Sequence, residues 1–438
     1  MRRTVADHQK AVADLLGGAW KVLPGNGGRD VGSPVPLLEA RGRVLATDLV
    51  APIDLPPFAN SQMDGYAIHM DALQPKSVDS NQSTSYAVVE TIAAGSVPER
   101  LAEGSAAPIM TGAMLPRGAN TVVPIEKALP DTFAAAGETV ELPATLAGTF
   151  VREQGSDVQL GETVIAAGTL LNAAHLGLAA ALGCTQLTVA RKVRVLLLTT
   201  GDEVLAPGDP LAANGLPPGM IFDANAALLR AALAESGLEV IQADVVNDDP
   251  AALLRLLEEN VGGVGGGPDD AAQPGCQLII SVGGISAGAF EVVKLALANA
   301  GPQSDMAFCS VALQPGGPQG LGTFRGVPFL AFPGNPVSAF VSLEMFLRPA
   351  LSTLLGTPAP RQRVVAVLEH PMTSPAGKHQ VRRGIYSGPA FESAPSVREV
   401  GGQSSHLLGA LAKANALINV PAGVTELQAG AKVEVWLL

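Results

Sequence analysis

Three glycine-rich segments each follow an apolar run: Thr199-Thr-Gly-Asp-Glu203, Ser281-Val-Gly-Gly-Ile-Ser-Ala-Gly288 and Phe332-Pro-Gly-Asn-Pro-Val-Ser338. Glycine lets a backbone approach a ligand closely, and the start of a following helix offers N–H donors to an anion. One such segment reads as a tight βα turn. Three at equivalent strand ends describe a ligand cleft, because ligands of open α/β sheets sit beyond the carboxyl ends of the strands. Gln314-Pro-Gly-Gly-Pro-Gln-Gly-Leu-Gly322 reads as a loop without regular structure that forms one wall. Asp202, Glu203 and Asp223 bring carboxylates to the same edge, and hard carboxylates beside a phosphate site suit Mg²⁺. Asp223 reads equally well as a plain helix N-cap. A separate stretch, Leu55-Pro-Pro-Phe-Ala-Asn-Ser-Gln-Met-Asp-Gly-Tyr-Ala67, is non-periodic and reads as a rigid loop of the kind that carries function. Its plain alternative is a structural turn with Phe58 and Tyr66 as core plugs.

The elements that must hold these segments follow from periodicity. Val12, Leu15 and Leu16 predict an opening helix over 7–20. Between about 51 and 149 the pattern is short β runs punctuated by Pro and Gly, a small and mostly β module. Thr163 to Ala190 carries no charge and imitates a membrane span, but Gly168, Asn172, His175, Gly177, Gly183 and Gln186 interrupt it. It reads as strand, short helix over about 173–182, glycine stop and strand. From about 192 apolar strands alternate with helices predicted over 223–236, 249–260, 290–300 and 336–354. That alternation predicts an open doubly wound sheet. Gly262–Pro268 reads as a surface insertion. Beyond Pro358 and Pro360 short strands return, a separate C-terminal β domain.

Composition narrows the function. The 438 residues carry 28 basic and 40 acidic side chains, a net charge of -12, without a Lys/Arg-rich run, so nucleic acid is not an expected partner. An anionic ligand must be held by local donors against an unfavourable overall field. Cys184, Cys276 and Cys309 are too widely spaced for a disulfide framework or a CxxC site, and the six histidines form no HxxxH or HxH pair. The residues after Met1-Arg2-Arg3-Thr4 lack the apolar stretch of a signal peptide. The expectation is a cytoplasmic protein without membrane insertion.

The chain resembles the MoeA and gephyrin E-domain family. Leu55–Ala67 is similar to the signature "PPFDNSAMDGYA", and Met110-Thr-Gly-Ala-Met-Leu-Pro-Arg-Gly-Ala-Asn to "TGAPLPxGAD". Gly155-Ser-Asp157, Thr199–Val204, Ile221-Phe-Asp-Ala-Asn225, Gly283–Gly288, Pro333–Ser338 and Gly402-Gln-Ser-Ser-His-Leu-Leu follow in family order. The resemblance covers nearly the whole chain. It implies a multidomain α/β plus β fold in an elongated homodimer. Residues 1–50 plus 150–188 would form a discontinuous N-terminal dimerisation domain, and 51–149 an inserted β domain. Residues 189–355 would form a doubly wound molybdopterin-binding domain, and 356–438 a C-terminal β domain. It also implies insertion of molybdate into adenylylated molybdopterin with release of AMP, assisted by Mg²⁺, in a cleft completed by the other subunit's β module. The residues so implied are Asp157, Glu203 and Asp223 as catalytic, with Glu203 and Asp223 on the metal. Asn60, Asp64, Thr200, Gly201, Asp202, Gly283, Gly284, Ser286, Gly288, Gly316, Pro333, Gly334, Asn335, Ser338 and Ser404 would bind ligand.

Departures from the family pattern remove charge. Ala59 and Ala289 stand where the family has Asp, and Gln314 and Gly317 stand where "KPGKP" has Lys. Ala224 replaces a Ser, and Lys378 and His379 stand at the first positions of "GRREF". Loss of one charge-stabilising donor typically costs about 10²–10³ in rate. Two readings follow. In the first, a catalytically weakened paralogue acts as a dimeric scaffold for a peptide of a cytoskeletal or membrane protein near the central/C-terminal junction, with no cofactor required. In the alternative, the chain is an active Mg-dependent molybdopterin molybdotransferase.

Overall fold

Alternate residues of one strand, Arg194–Thr200 (β1), feed two cores. Val195 and Leu197 enter one, Leu196 and Leu198 the other, and all four are fully buried. Helix Ala224–Glu235 and the helical run from Pro336 to Leu355 cover the first face; Pro250–Asn260 and Val292–Asn299 cover the second. A strand apolar at successive positions is satisfied only between two such layers. The structure is a computed structural model and describes residues 2–21, 32–71, 83–246, 248–261, 275–285, 291–389 and 394–438. The expected insertion at 262–268 lies outside the described residues.

The remaining strands of this sheet are Glu239–Val246 (β2), Leu278–Val282 (β3), Ser304–Ser310 (β4), Pro318–Phe324 (β5) and Val327–Phe332 (β6). Their order is β2-β1-β3-β6-β5-β4. The first four are mutually parallel, and β5 runs antiparallel to both β6 and β4. The doubly wound expectation holds for the parallel part. Strand β5 and the short strand Leu313–Gln314 correct the reading of 314–322 as structureless. Glycines were the misleading signal. A Cβ on Gly322 would lie 1.8 Å from the Asp305 carbonyl oxygen, and one on Gly320 2.8 Å from Ala331 Cβ. These glycines let neighbouring strands close up, which is a strand role.

The opening helix spans Val5–Lys21, and Val12, Leu16 and Trp20 enter the same core as Leu197 and Leu351. It packs with the central sheet rather than with residues 32–50. Those residues pair instead with the segment beyond 150: Gly32–Pro36 with Gln186–Ala190, and Leu49–Val50 with Thr163–Ile165. Helix Ala173–Ala181 begins with an Asn172 capping box, so the charge-free stretch 163–190 is strand, helix and strand as predicted. Among the described residues the helix Pro336–Leu355 is long and apolar enough to cross a membrane, and 78% of that stretch is buried in the core.

A five-stranded sheet between 65 and 143 forms the inserted module, with Gly65–Ile68 inside it. Part of the expected loop 55–67 is therefore strand: Asn60–Ser61 pairs with Val151–Arg152, and Tyr66 is fully buried. Gly65 again marks close approach, since a Cβ there would lie 2.0 Å from the Val123 carbonyl oxygen. The C-terminal domain is barrel-like. Strands His379–Ser387, Ser396–Glu399, Arg363–Leu368, Lys432–Leu437 and Ala416–Val420 close on themselves, and Leu313–Gln314 adds to His379–Ser387. That short strand joins the two domains at the edge of the cleft.

Candidate functional site

A cleft of about 1240 Å³ opens at the carboxyl ends of β1, β3 and β6. All three glycine-rich turns reach it through Thr200, Gly201, Glu203, Gly283, Gly284, Pro333, Gly334, Asn335 and Ser338. Gly283 has φ +97°, and a Cβ on it would lie 2.8 Å from Thr200 Oγ1. A Cβ on Gly334 would lie 3.4 Å from the Gly283 Cα, so the turns after β3 and β6 pass with no side chain between them. The N-caps Asp223 and Asn335 both face the cleft, so it lies at the positive ends of two helices.

Polar atoms in the cleft divide into engaged and open ones. Asp223 accepts from the Ala226 backbone N–H at 2.9 Å and from Thr199 Oγ1 at 2.6 Å, and it is 3% exposed. Asn225 Nδ2 donates to the Gly334 carbonyl at 2.7 Å, tying the helix after Asp223 to the turn after β6. By contrast, Thr200 Oγ1 and Asn225 Oδ1 are buried without a partner. Buried polar groups are normally paired, so these two oxygens await one. Asp248 and Glu291 add carboxylates to the lining. Partial burial, then the charges of Asp202, Glu203 and Glu291, push the Asp248 carboxyl above the usual carboxylate range.

The opposite wall comes from the C-terminal domain and the 310–318 segment. Gly316, Gln314 and Gly317 line it, as do Ser404, Ser405 and His406. Gln319 Nε2 donates to the Gly316 carbonyl and to Ser342 Oγ, both at 2.8 Å, fixing the turn against the helix after Asn335. Arg383, fully buried, donates to the carbonyls of Val400, Gly402 and Ser404, which holds the 400–404 loop over the cleft.

Several expected residues lie elsewhere. Asp202 does not line the cleft; its Oδ1 accepts from the Asp248 N–H at 2.9 Å, and Asp248 lines it instead. Asn60, Asp64 and Asp157 belong to the N-terminal domains, outside the cleft of their own chain. Asp64 is exposed and accepts from the Thr111 N–H and Oγ1 at 2.6 and 2.7 Å, which holds its carboxyl below the usual range. Asn60 Oδ1 accepts from Arg152 Nη1 at 3.4 Å. Ser286, Gly288 and Ala289 lie outside the described residues.

Sequence reasoning missed Arg2, Asn225 as a polar contact, Asp248 and Glu291. Asp248 had a findable signal, since Asn247-Asp248-Asp249 directly follows a parallel strand. Arg2 had none, because only backbone pairing far along the chain brings it here.

Comparison with known proteins agrees along the chain. Residues 3–183 match the MoeA N-terminal region (domain I and II), 196–353 the probable molybdopterin binding domain, and 365–438 the MoeA C-terminal region (domain IV). The chain is 38% identical to molybdopterin molybdenumtransferase 2 of Mycobacterium tuberculosis H37Rv, over 99% of both chains. It is 33% identical to the molybdopterin molybdenumtransferase of Nostoc sp., over 92% of this chain and 87% of that one. The fold matches that of the molybdopterin biosynthesis moeA protein of Pyrococcus horikoshii OT3, with a TM-score of 0.75, 24% identity and full coverage of both chains. These relatives are named as transferases or biosynthesis proteins, and none of the names supports a scaffold role.

Proposed function

The chain belongs to the MoeA family of molybdenum-cofactor biosynthesis, and from that premise we propose that it is a molybdopterin molybdotransferase, taking adenylylated molybdopterin and molybdate as substrates and releasing AMP. The observation that carries this reading is the cleft itself. Residues of all three glycine-rich turns line it, and Thr200 Oγ1 and Asn225 Oδ1 stand unpaired in it. The curated relatives that match this chain nearly end to end are named for the same transfer.

The chain's residues divide the work. Gly201, Gly283, Gly284 and Gly334 bring backbone close to the ligand. Thr200 and Asn225 fix its polar edge, while Ser338 and Ser404 supply hydroxyls from opposite walls. The hard oxygens of Glu203, Asp223 and Asp248 suit Mg²⁺, whose usual site combines one or two carboxylates with substrate phosphate. When bound there, Mg²⁺ would neutralise phosphate charge. The reading includes a homodimer, because Asn60, Asp64 and Asp157 could meet this cleft only in a second copy.

Complementation tests it. Expressed in a cell lacking its own insertase, the chain restores molybdoenzyme activity. A folded, abundant chain that restores none overturns the reading.

A further inference from the structure

The cleft is chemically lopsided. Glu203, Asp223, Asp248 and Glu291 line one side, whereas the described lining carries just two full positive charges, Arg2 and Lys378. An oxyanion not bridged to these carboxylates by a metal ion meets like charge there, whereas the lining cations attract it. The positions where the family carries lysines, Gln314 and Gly317, line that same wall without charge.

Arg2 is delivered there by a docked segment. The Arg3 N–H donates to the Ser310 carbonyl at 3.0 Å, and the Ala312 N–H donates to the Arg3 carbonyl at 2.9 Å. The Ala312 carbonyl in turn accepts from the His379 N–H at 2.8 Å. Ala312 therefore bonds on one side to the residue after Arg2 and on the other to the residue after Lys378. Two cations from distant parts of the chain thus flank the strand that leads into the 314–317 turn.

Side chains fix the segment further. Arg3 Nη1 lies 3.2 Å from His8 Nδ1, and the His8 ring is buried edge-on against Phe346 at 4.5 Å. Thr4 Oγ1 accepts from the Asp7 N–H at 3.1 Å and donates to Asp7 Oδ2 at 2.7 Å, starting the helix at once. Arg2 is thus the first residue beyond a stretch tied by backbone, side chain and helix cap.

We propose that Arg2 is a specificity-determining residue of this cleft, which with Lys378 receives a tetrahedral oxyanion of the substrates. The proposal rests on the transferase reading. Phosphate of the adenylyl group and molybdate share this chemistry, and Arg can meet either with a forked, charge-assisted pair of hydrogen bonds.

Calorimetric titration of the full chain with sodium molybdate, and separately with AMP, tests it. The Arg2→Ala variant loses about tenfold or more in affinity for one of the two anions, as expected for a charge-assisted contact. The anion that suffers identifies the source. Arg2→Lys keeps the charge but loses the fork, so its affinity falls between those of the parent and Arg2→Ala, a partial rescue that a merely structural role would not give. Equal affinities of parent and Arg2→Ala for both anions overturn the proposal. A parent chain that binds neither anion but restores molybdoenzyme activity overturns it too and leaves the transferase reading standing. Arg2-dependent binding without restored activity does the reverse.

Discussion

Thr199 Oγ1 donates to Asp223 Oδ2 at 2.6 Å, tying the end of β1 to the first turn of the helix over Ala224–Glu235. The other oxygen of Asp223 accepts from the Ala226 N–H. Each carboxylate oxygen offers about two acceptor sites, so one on each remains. Helix cap and cleft ligand are therefore compatible roles for this one side chain.

Two substitutions separate those roles. Asp223→Asn keeps a good cap and costs less than about 1 kcal/mol, whereas Asp223→Ala costs about 1–2 kcal/mol. Both lower transfer activity by about 10²-fold or more, because both remove the charge. Urea unfolding and AMP release read the two effects. An active Asp223→Asn protein would confine Asp223 to capping.

The glycine turns give a second contrast. Gly283 combines φ +97° with a Cβ position 2.8 Å from Thr200 Oγ1. Gly283→Ala therefore costs about 1–3 kcal/mol. Gly334→Ala has ordinary backbone and its nearest neighbour at 3.4 Å, so stability changes by less than about 1 kcal/mol. It instead narrows the approach between two turns and weakens AMP binding. Unfolding midpoints and calorimetry distinguish these outcomes.

Much of this site was legible because it depends on local chain chemistry. A run such as Val193–Thr200 announces a doubly covered strand, and Asp223 before an apolar-periodic stretch announces a cap. Gly320, Gly322 and Gly65 were misread because glycine signals both a turn and close strand approach, and only the neighbour decides between them. Arg2 and Lys378 were illegible as a pair, since Ala312 brings them together by backbone bonds that carry no side-chain signature.

Arg383 offers a third prediction. It is fully buried and spends its donors on three carbonyls of the 400–404 loop. Arg383→Ala costs about 2–4 kcal/mol. Arg383→Lys keeps charge but loses the fork. In both, amide exchange accelerates across 400–408 before the rest of the barrel. Uniform exchange would show that the loop is held by other contacts.

Burial and the nearby Arg3 charge lower the His8 pKa from 6.5 to about 4. The folded protein therefore resists protonation that the unfolded chain accepts. The stabilisation is complete above pH 6.5 and is lost as pH falls from there to about 4. The full loss is on the order of 3 kcal/mol. His8→Gln, which does not titrate, has a flatter stability profile across that window. A slope equal to that of the parent would mean that His8 is protonated without cost.

Restoring the family's charges succeeds at the 314–317 wall and fails in the β module. Gly317 has ordinary backbone, and its nearest neighbours to a Cβ lie at 3.5 Å, so a Cβ is accommodated without strain. Gln314 is half-buried at the cleft edge. Gln314→Lys with Gly317→Lys adds two cations beside Arg2 and raises molybdate affinity by roughly tenfold or more. Ala59 differs, because it is half-buried against the cluster of Ile109, Ala113 and Val151. Ala59→Asp places a carboxylate on apolar neighbours and costs about 1–3 kcal/mol. The loss of Asp at 59 is thus built into the packing of the β module, whereas the loss of lysine at 317 is not. Titration of the double lysine variant decides the point: unchanged affinity would mean that the 314–317 wall no longer receives an anion at all.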